Sequence, residues 1–119
     1  MANFEVLAEG ILIGHSELEH GDAPMGVAEG RFLPLPAYRK LQPMLVAMRD
    51  STQAHLTLAV RTAKHRELPA QGGVRIRDYS AELGDEEIWV EVNGIGYPLY
   101  EELFPQHVES YRLRFLKVP

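Results

Sequence analysis

Apolar and polar positions alternate through most of this chain, and a period of two is the pattern of strands buried on one side. The segment NFEVLA reads as a first strand, Glu9-Gly10 as a tight turn, and ILIGHSELE as a second strand. A further turn near HGDAP leads into MGVAEGRFL, so the first three segments predict an antiparallel meander. Gly14, Gly26 and Gly30 weaken these strands and mark bulges or close backbone approach.

The period changes in PLPAYRKLQPMLVAMRDS, where Leu41, Leu45 and Met48 recur at helical spacing with Met44 alongside. Pro43 disfavours helix at Gln42 and removes a donor, so the spacing predicts one broken helix. Alternation returns in AHLTLAVRT, with Leu56, Leu58 and Val60 on one face and His55, Thr57 and Arg61 on the other. KHRELPAQGG reads as a loop, VRIRDY and EIWVEV as strands, and SAELGDE as their connection. Pro98 opens a predicted short helix, PLYEELF, which Pro105 ends. SYRLRFLKV alternates once more, which predicts a last strand with Tyr111, Leu113 and Phe115 inward and Arg112 and Arg114 outward.

The sum is an α+β fold, mainly antiparallel β. We expect about seven strands in a two-layer or partly open barrel arrangement, with one or two short helices. With 119 residues and no linker, repeat or low-complexity run, the whole chain 1–119 is expected to be a single domain.

Composition narrows the function more than it identifies it. The chain has no cysteine, which excludes a disulfide framework, a thiolate metal site and a cysteine nucleophile. Its apolar runs are short, and MANFEVLAEG has no basic segment ahead of an apolar stretch, so we expect a soluble, cytoplasmic protein with no membrane partner. A net charge of −5 argues against a general nucleic-acid binder. The basic stretch Arg61, Lys64, Arg66, Arg75 and Arg77 leaves room only for a local cationic face.

Chemistry-bearing residues concentrate in GHSELEHGDAPMG, residues 14 to 26. A serine-nucleophile elbow of the pattern G-x-S-x-G is excluded, because Leu18 stands where the last glycine is needed and no helix follows. A metal reading places His15, Glu17 and Glu19 on one strand face. Neighbours in that row, about 6.7 Å apart at a rise of about 3.3 Å per residue, can share an ion, but the outer pair cannot. The competing reading is the wet end of a hairpin, with Leu12 and Leu18 inward and the acidic row in water. An even-length loop would set that row opposite Gly26, Ala28 and Gly30 and leave a shallow groove; an odd-length loop would not.

NGIGYP lacks the third glycine of a dinucleotide fingerprint, and QGG lacks the lysine and hydroxyl of a phosphate loop. His55, His65 and His107 have no partner that sequence assigns. Trp89 is more informative. Ile88, Val90 and Val92 take one face of their strand and Val74 and Ile76 that of the preceding one, which leaves Trp89, Arg75, Arg77 and Tyr79 together on the other. Trp, Tyr and Arg are the residue types that dominate interaction hot spots.

The expected function is therefore that of a small non-enzymatic binding module. It would use Trp89, Tyr79, Arg75 and Arg77 to engage a protein partner or a second copy of itself, without a cofactor. The alternative is a metal-assisted hydrolase or small-ligand-binding protein holding a divalent metal ion on His15, Glu17 and Glu19.

Overall fold

The computed structural model describes residues 4–115. Eight strands are present among them: β1 (Phe4–Ala8), β2 (Ile11–Ser16), β3 (His20–Asp22), β4 (Val27–Arg31), β5 (Leu33–Pro34), β6 (Leu58–Thr62), β7 (Gly73–Asp78) and β8 (Ile88–Asn93). They form two antiparallel four-stranded sheets, ordered β5-β2-β1-β6 and β3-β4-β8-β7. The helices are short: α1 (Gln42–Ala47), α2 (Ser80–Leu83), α3 (Leu99–Leu103) and α4 (Pro105–Phe115). None is long and apolar enough to cross a membrane. The expected α+β fold of antiparallel sheets is thus observed, as a barrel that stays open.

The inward-facing residues of both sheets meet in one core. Phe4, Val6, Ala8, Ile13 and Val60 come from the first sheet and Ala28, Ile76, Ile88, Val90 and Val92 from the second. As alternation predicts, Leu56 and Val60 are buried and Thr57 is exposed, although β6 begins only at Leu58 and Leu56 lies on a 3-10 turn, Ala54–Leu56.

Three expectations are corrected. The first three segments are not one meander. β2 ends at Ser16 in the first sheet, and the chain crosses to the second before β3 pairs with β4. The crossing works because Leu18, at φ 47°, turns its side chain into the core, while the Ser16 hydroxyl accepts its N–H at 3.0 Å. Second, a bulge sets Val6 opposite Gly14 but Leu7 opposite Leu12. Ile13 is the extra residue, so it takes the core position and Leu12 is only half-buried.

Third, residues 110–115 are not a strand. The short helix expected before Pro105 is α3, which ends at Leu103 as predicted, but Pro105 also begins α4, where its fixed φ suits a first turn. His107, Val108 and Tyr111 form the inward stripe of α4, and Leu113 and Phe115, expected inside, are exposed. The remainder of the predicted strand, 116–118, lies outside the described residues. The predicted broken helix is a 3-10 turn at Pro36–Lys40 followed by α1, with Pro43 near its start.

On one side the sheets are joined by two chain crossings, β2 to β3 and β4 to β5. On the other side the edge strands β6 and β7 face one another without pairing. That open seam positions the candidate site.

Candidate binding face and seam cleft

The outer face of the second sheet is built by strict alternation in β7 and β8. Ile88, Val90 and Val92 are buried, and Trp89, Glu91 and Asn93 between them are half-exposed. The register sets Arg31, Trp89 and Arg77 in one row across β4, β8 and β7, and His20, Glu29, Glu91 and Arg75 in the next. Trp89, Arg75 and Arg77 therefore share a surface, as their spacing predicted.

Two members of this surface had no sequence signal for their role. The Arg31 guanidinium lies 4.9 Å over the Trp89 ring, and His20 is 6.1 Å from it, ring to ring. Tyr79 sits at the end of β7, where Arg49 stacks over its ring at 4.4 Å and is held in turn by Glu82 at 2.9 Å. Both rings thus carry a cation, that over Tyr79 coming from beyond the sheet and that over Trp89 from β4 of the same sheet. The Tyr79 phenol, then the Glu91 carboxylate, raise the Arg77 guanidinium above its ordinary value and fix it as a cation.

Charge on this face is uneven. Arg77 pairs with Glu91 at 3.7 Å and Arg31 with Glu87 at 3.3 Å. Arg75 stands directly across from Glu91, but that carboxylate turns toward Arg77 and Asn93. Among the described residues nothing pairs with the Arg75 guanidinium. It lines a cleft of about 540 Å³ at the seam, with Thr52, Thr57, Val74, Glu91 and Asn93. That volume lies within the roughly 300–1,000 Å³ of small-molecule pockets.

Main-chain geometry explains why the cleft is there. The Gln53 side chain acts as a short strand: its amide nitrogen donates to the Ile76 carbonyl at 2.8 Å and its oxygen accepts the Ile76 N–H at 2.9 Å. Ile76 therefore turns both main-chain groups away from β8, and Val74, two residues earlier, has the same orientation. On β6 the Val60 carbonyl accepts from Leu68 and the Thr62 N–H donates to Arg66, which points the main-chain groups of Leu58 the same way, outward from β1. Gln53 and the 62–68 loop cover the two ends of the seam. The edges of Leu58 and Val74 between them, both lining the cleft, have no protein partner among the described residues.

Thr57, at the cleft wall, adopts the left-handed conformation at φ 48° and ψ 52°. A β-branched residue there is strained, and such strain collects at ligand clamps. Because the Thr57 side chain is exposed, Thr57→Asn relieves the strain at no packing cost. It is expected to stabilise the fold by about 0.5–1 kcal/mol, read as a higher midpoint in urea at unchanged slope.

The residues of the other predicted site do not converge. His15 is on β2 of the first sheet, cross-strand from Glu5 and Leu33; Glu17 is on the crossing segment. Glu19 has reached the second sheet, where its carboxylate accepts the Arg31 N–H at 3.0 Å against the flat side of Gly30. The intervening turn at Leu18 breaks the expected row, and no group of three His, Asp or Glu among the described residues is placed to hold a metal ion. His107, which sequence left without a partner, is buried under α4. Its Nε2 donates to the Leu18 carbonyl at 2.8 Å, and its ring stacks on Phe104.

No protein-family profile, curated protein or solved structure matches this chain.

Proposed function

We propose that this chain is a non-enzymatic binding module that engages a protein partner through the outer face of its second sheet and the adjoining seam. The observation that carries the reading is the juxtaposition of half-buried Trp89, set between Arg31 and Arg77 and beside His20, with an unpaired Arg75 two strand positions from the ion-paired Arg77. A rigid aromatic anchored among arginines supplies contact area at little entropic cost, and an unpaired guanidinium supplies the directional bond that selects a partner. The seam adds main-chain donors and acceptors to the same surface.

The test is retention of a cellular protein by immobilised wild type, compared with Trp89→Ala, Arg75→Glu and, as a control at an exposed residue outside the face, Lys40→Ala. Truncation of a central aromatic anchor is expected to cost about 2 kcal/mol, roughly thirtyfold in affinity, while the control retains as wild type does. Sedimentation of the protein alone identifies the partner as a second copy if a dimer mass falls to monomer in Arg75→Glu. Equal retention, and equal mass, in all three variants overturns the proposal.

A further inference from the structure

We infer that the seam cleft takes an extended peptide segment carrying a carboxylate, bound along the β7 edge at Val74 with the carboxylate on Arg75; this rests on the protein-binding reading above and names the partner's chemistry. Three observations converge on that occupant. The Ile76 edge is already occupied by a side chain that imitates a strand, the Gln53 amide, with both of its bonds made. The next position along the same edge, Val74, offers the same donor and acceptor pair and no protein group meets it. A peptide main chain continues the pattern that Gln53 begins, by the strand addition through which sheet edges take up extended ligands.

The second observation is across the cleft, where Leu58 of β6 presents an equivalent unpaired edge. A peptide main chain repeats donors and acceptors at the spacing of such an edge; a compact small molecule does not. The third is charge. Arg75 is unpaired and lines the cleft, although Glu91 stands opposite it in register, and a guanidinium free of its cross-strand glutamate favours a carboxylate approached bidentately. Thr52, Thr57 and Asn93 add side-chain polar groups along the wall.

The experiment uses the full chain, labelled with 15N, and two probes. One is the blocked pentapeptide Thr-Val-Glu-Val-Thr. The other is Thr-Val-Thr-Val with a blocked N-terminus and a free C-terminal carboxylate. In the free protein, the Leu58 and Val74 amides are expected to exchange with solvent much faster than that of Ile76. Titration with either probe is expected to move the Leu58 and Val74 amide resonances and slow their exchange. Whichever probe binds more tightly tells a side-chain carboxylate from a terminal one.

Arg75→Gln, or glutamine in place of the probe's glutamate, is expected to weaken pentapeptide binding about tenfold; an N-methylated main chain should lose the Val74 shift. The inference is overturned if the two amides do not move, if Arg75→Gln binds as well as wild type, or if acetate alone reproduces the titration. The two readings fail separately. Peptide binding that survives when Trp89→Ala has no effect on protein retention sinks the face and leaves the cleft; Trp89-dependent retention without peptide binding sinks the cleft and leaves the face.

Discussion

Asp78→Ala is expected to cost about 3–5 kcal/mol of folding stability, because it orphans several donors at once. The carboxylate is fully buried at the inner end of β7, yet every lone pair is met. The Tyr38 phenol donates at 2.5 Å, the Ser80 hydroxyl at 2.5 Å, the Ser80 amide at 2.8 Å and the Gln42 side chain at 3.2 Å. Together these bonds tie β7 to the 3-10 turn before α1 and to α1 itself. Removing the acceptor leaves Tyr38, which is also fully buried, with an orphaned hydroxyl.

The same network sets the response to acid. Burial by itself would raise the Asp78 carboxyl, but the hydrogen bonds from Ser80, Tyr38 and Gln42 outweigh it and hold the group below its ordinary value. A carboxyl depressed in the folded state stabilises that state fully above the unfolded value of about 3.9, and loses the contribution as pH falls through the folded value. Wild type is therefore expected to lose stability on acidification below about pH 4, and Asp78→Asn to lose less over that interval while starting lower. Urea midpoints measured from pH 7 down to pH 2 check both. Parallel curves for the two proteins would show that Asp78 does not control the acid limb.

Gly26→Ala is expected to cost about 3 kcal/mol. Gly26 closes the four-residue turn between β3 and β4 at φ 66°, a conformation that costs an L-residue about 1–2 kcal/mol. An added methyl would also run into the Ile95 main chain, which cannot swing aside as a side chain can, because the Ile95 N–H donates to the Gly26 carbonyl at 2.8 Å. The overlap adds about 1–3 kcal/mol. The matched control is Gly73→Ala, also at positive φ but with open space around the new methyl. Thermal melts of the pair separate strain from clash: Gly73→Ala should lose only the strain component, and equal losses would refute the steric account.

Much of the candidate face was legible because β8 along its whole length, and β7 from Ile76 onward, are buried on one side. Burial of that kind forces apolar residues to every second position, so Trp89, Arg75 and Arg77 fell onto one surface by parity alone. Tyr79 kept the parity, but Arg49, thirty residues earlier in the chain, comes to lie over its ring. The metal row failed for a related reason. Glu17, Leu18 and Glu19 continue the polar-apolar rhythm of β2 while the chain changes sheets, and an alternating pattern does not record which neighbour a strand pairs with. α4 was misread because much of its C-terminal half is exposed. A helix with little burial there is under little selection for a 3.6-residue stripe, and YRLRF alternates without consequence.

From the chain alone came the antiparallel α+β character, the core face of β6, β7 and β8, and the placing of Trp89 on one surface with Arg75 and Arg77. These follow from side-chain solubility and the two-residue pleat, which act between near neighbours. The open seam was decided only in three dimensions. Gln53 must travel to Ile76, and β6 must stop short of β7, before Val74 and Leu58 are left unpaired beside Arg75. Main-chain hydrogen bonding is the same for nearly every residue type, so nothing in the order of side chains reveals which edges meet and which stay free.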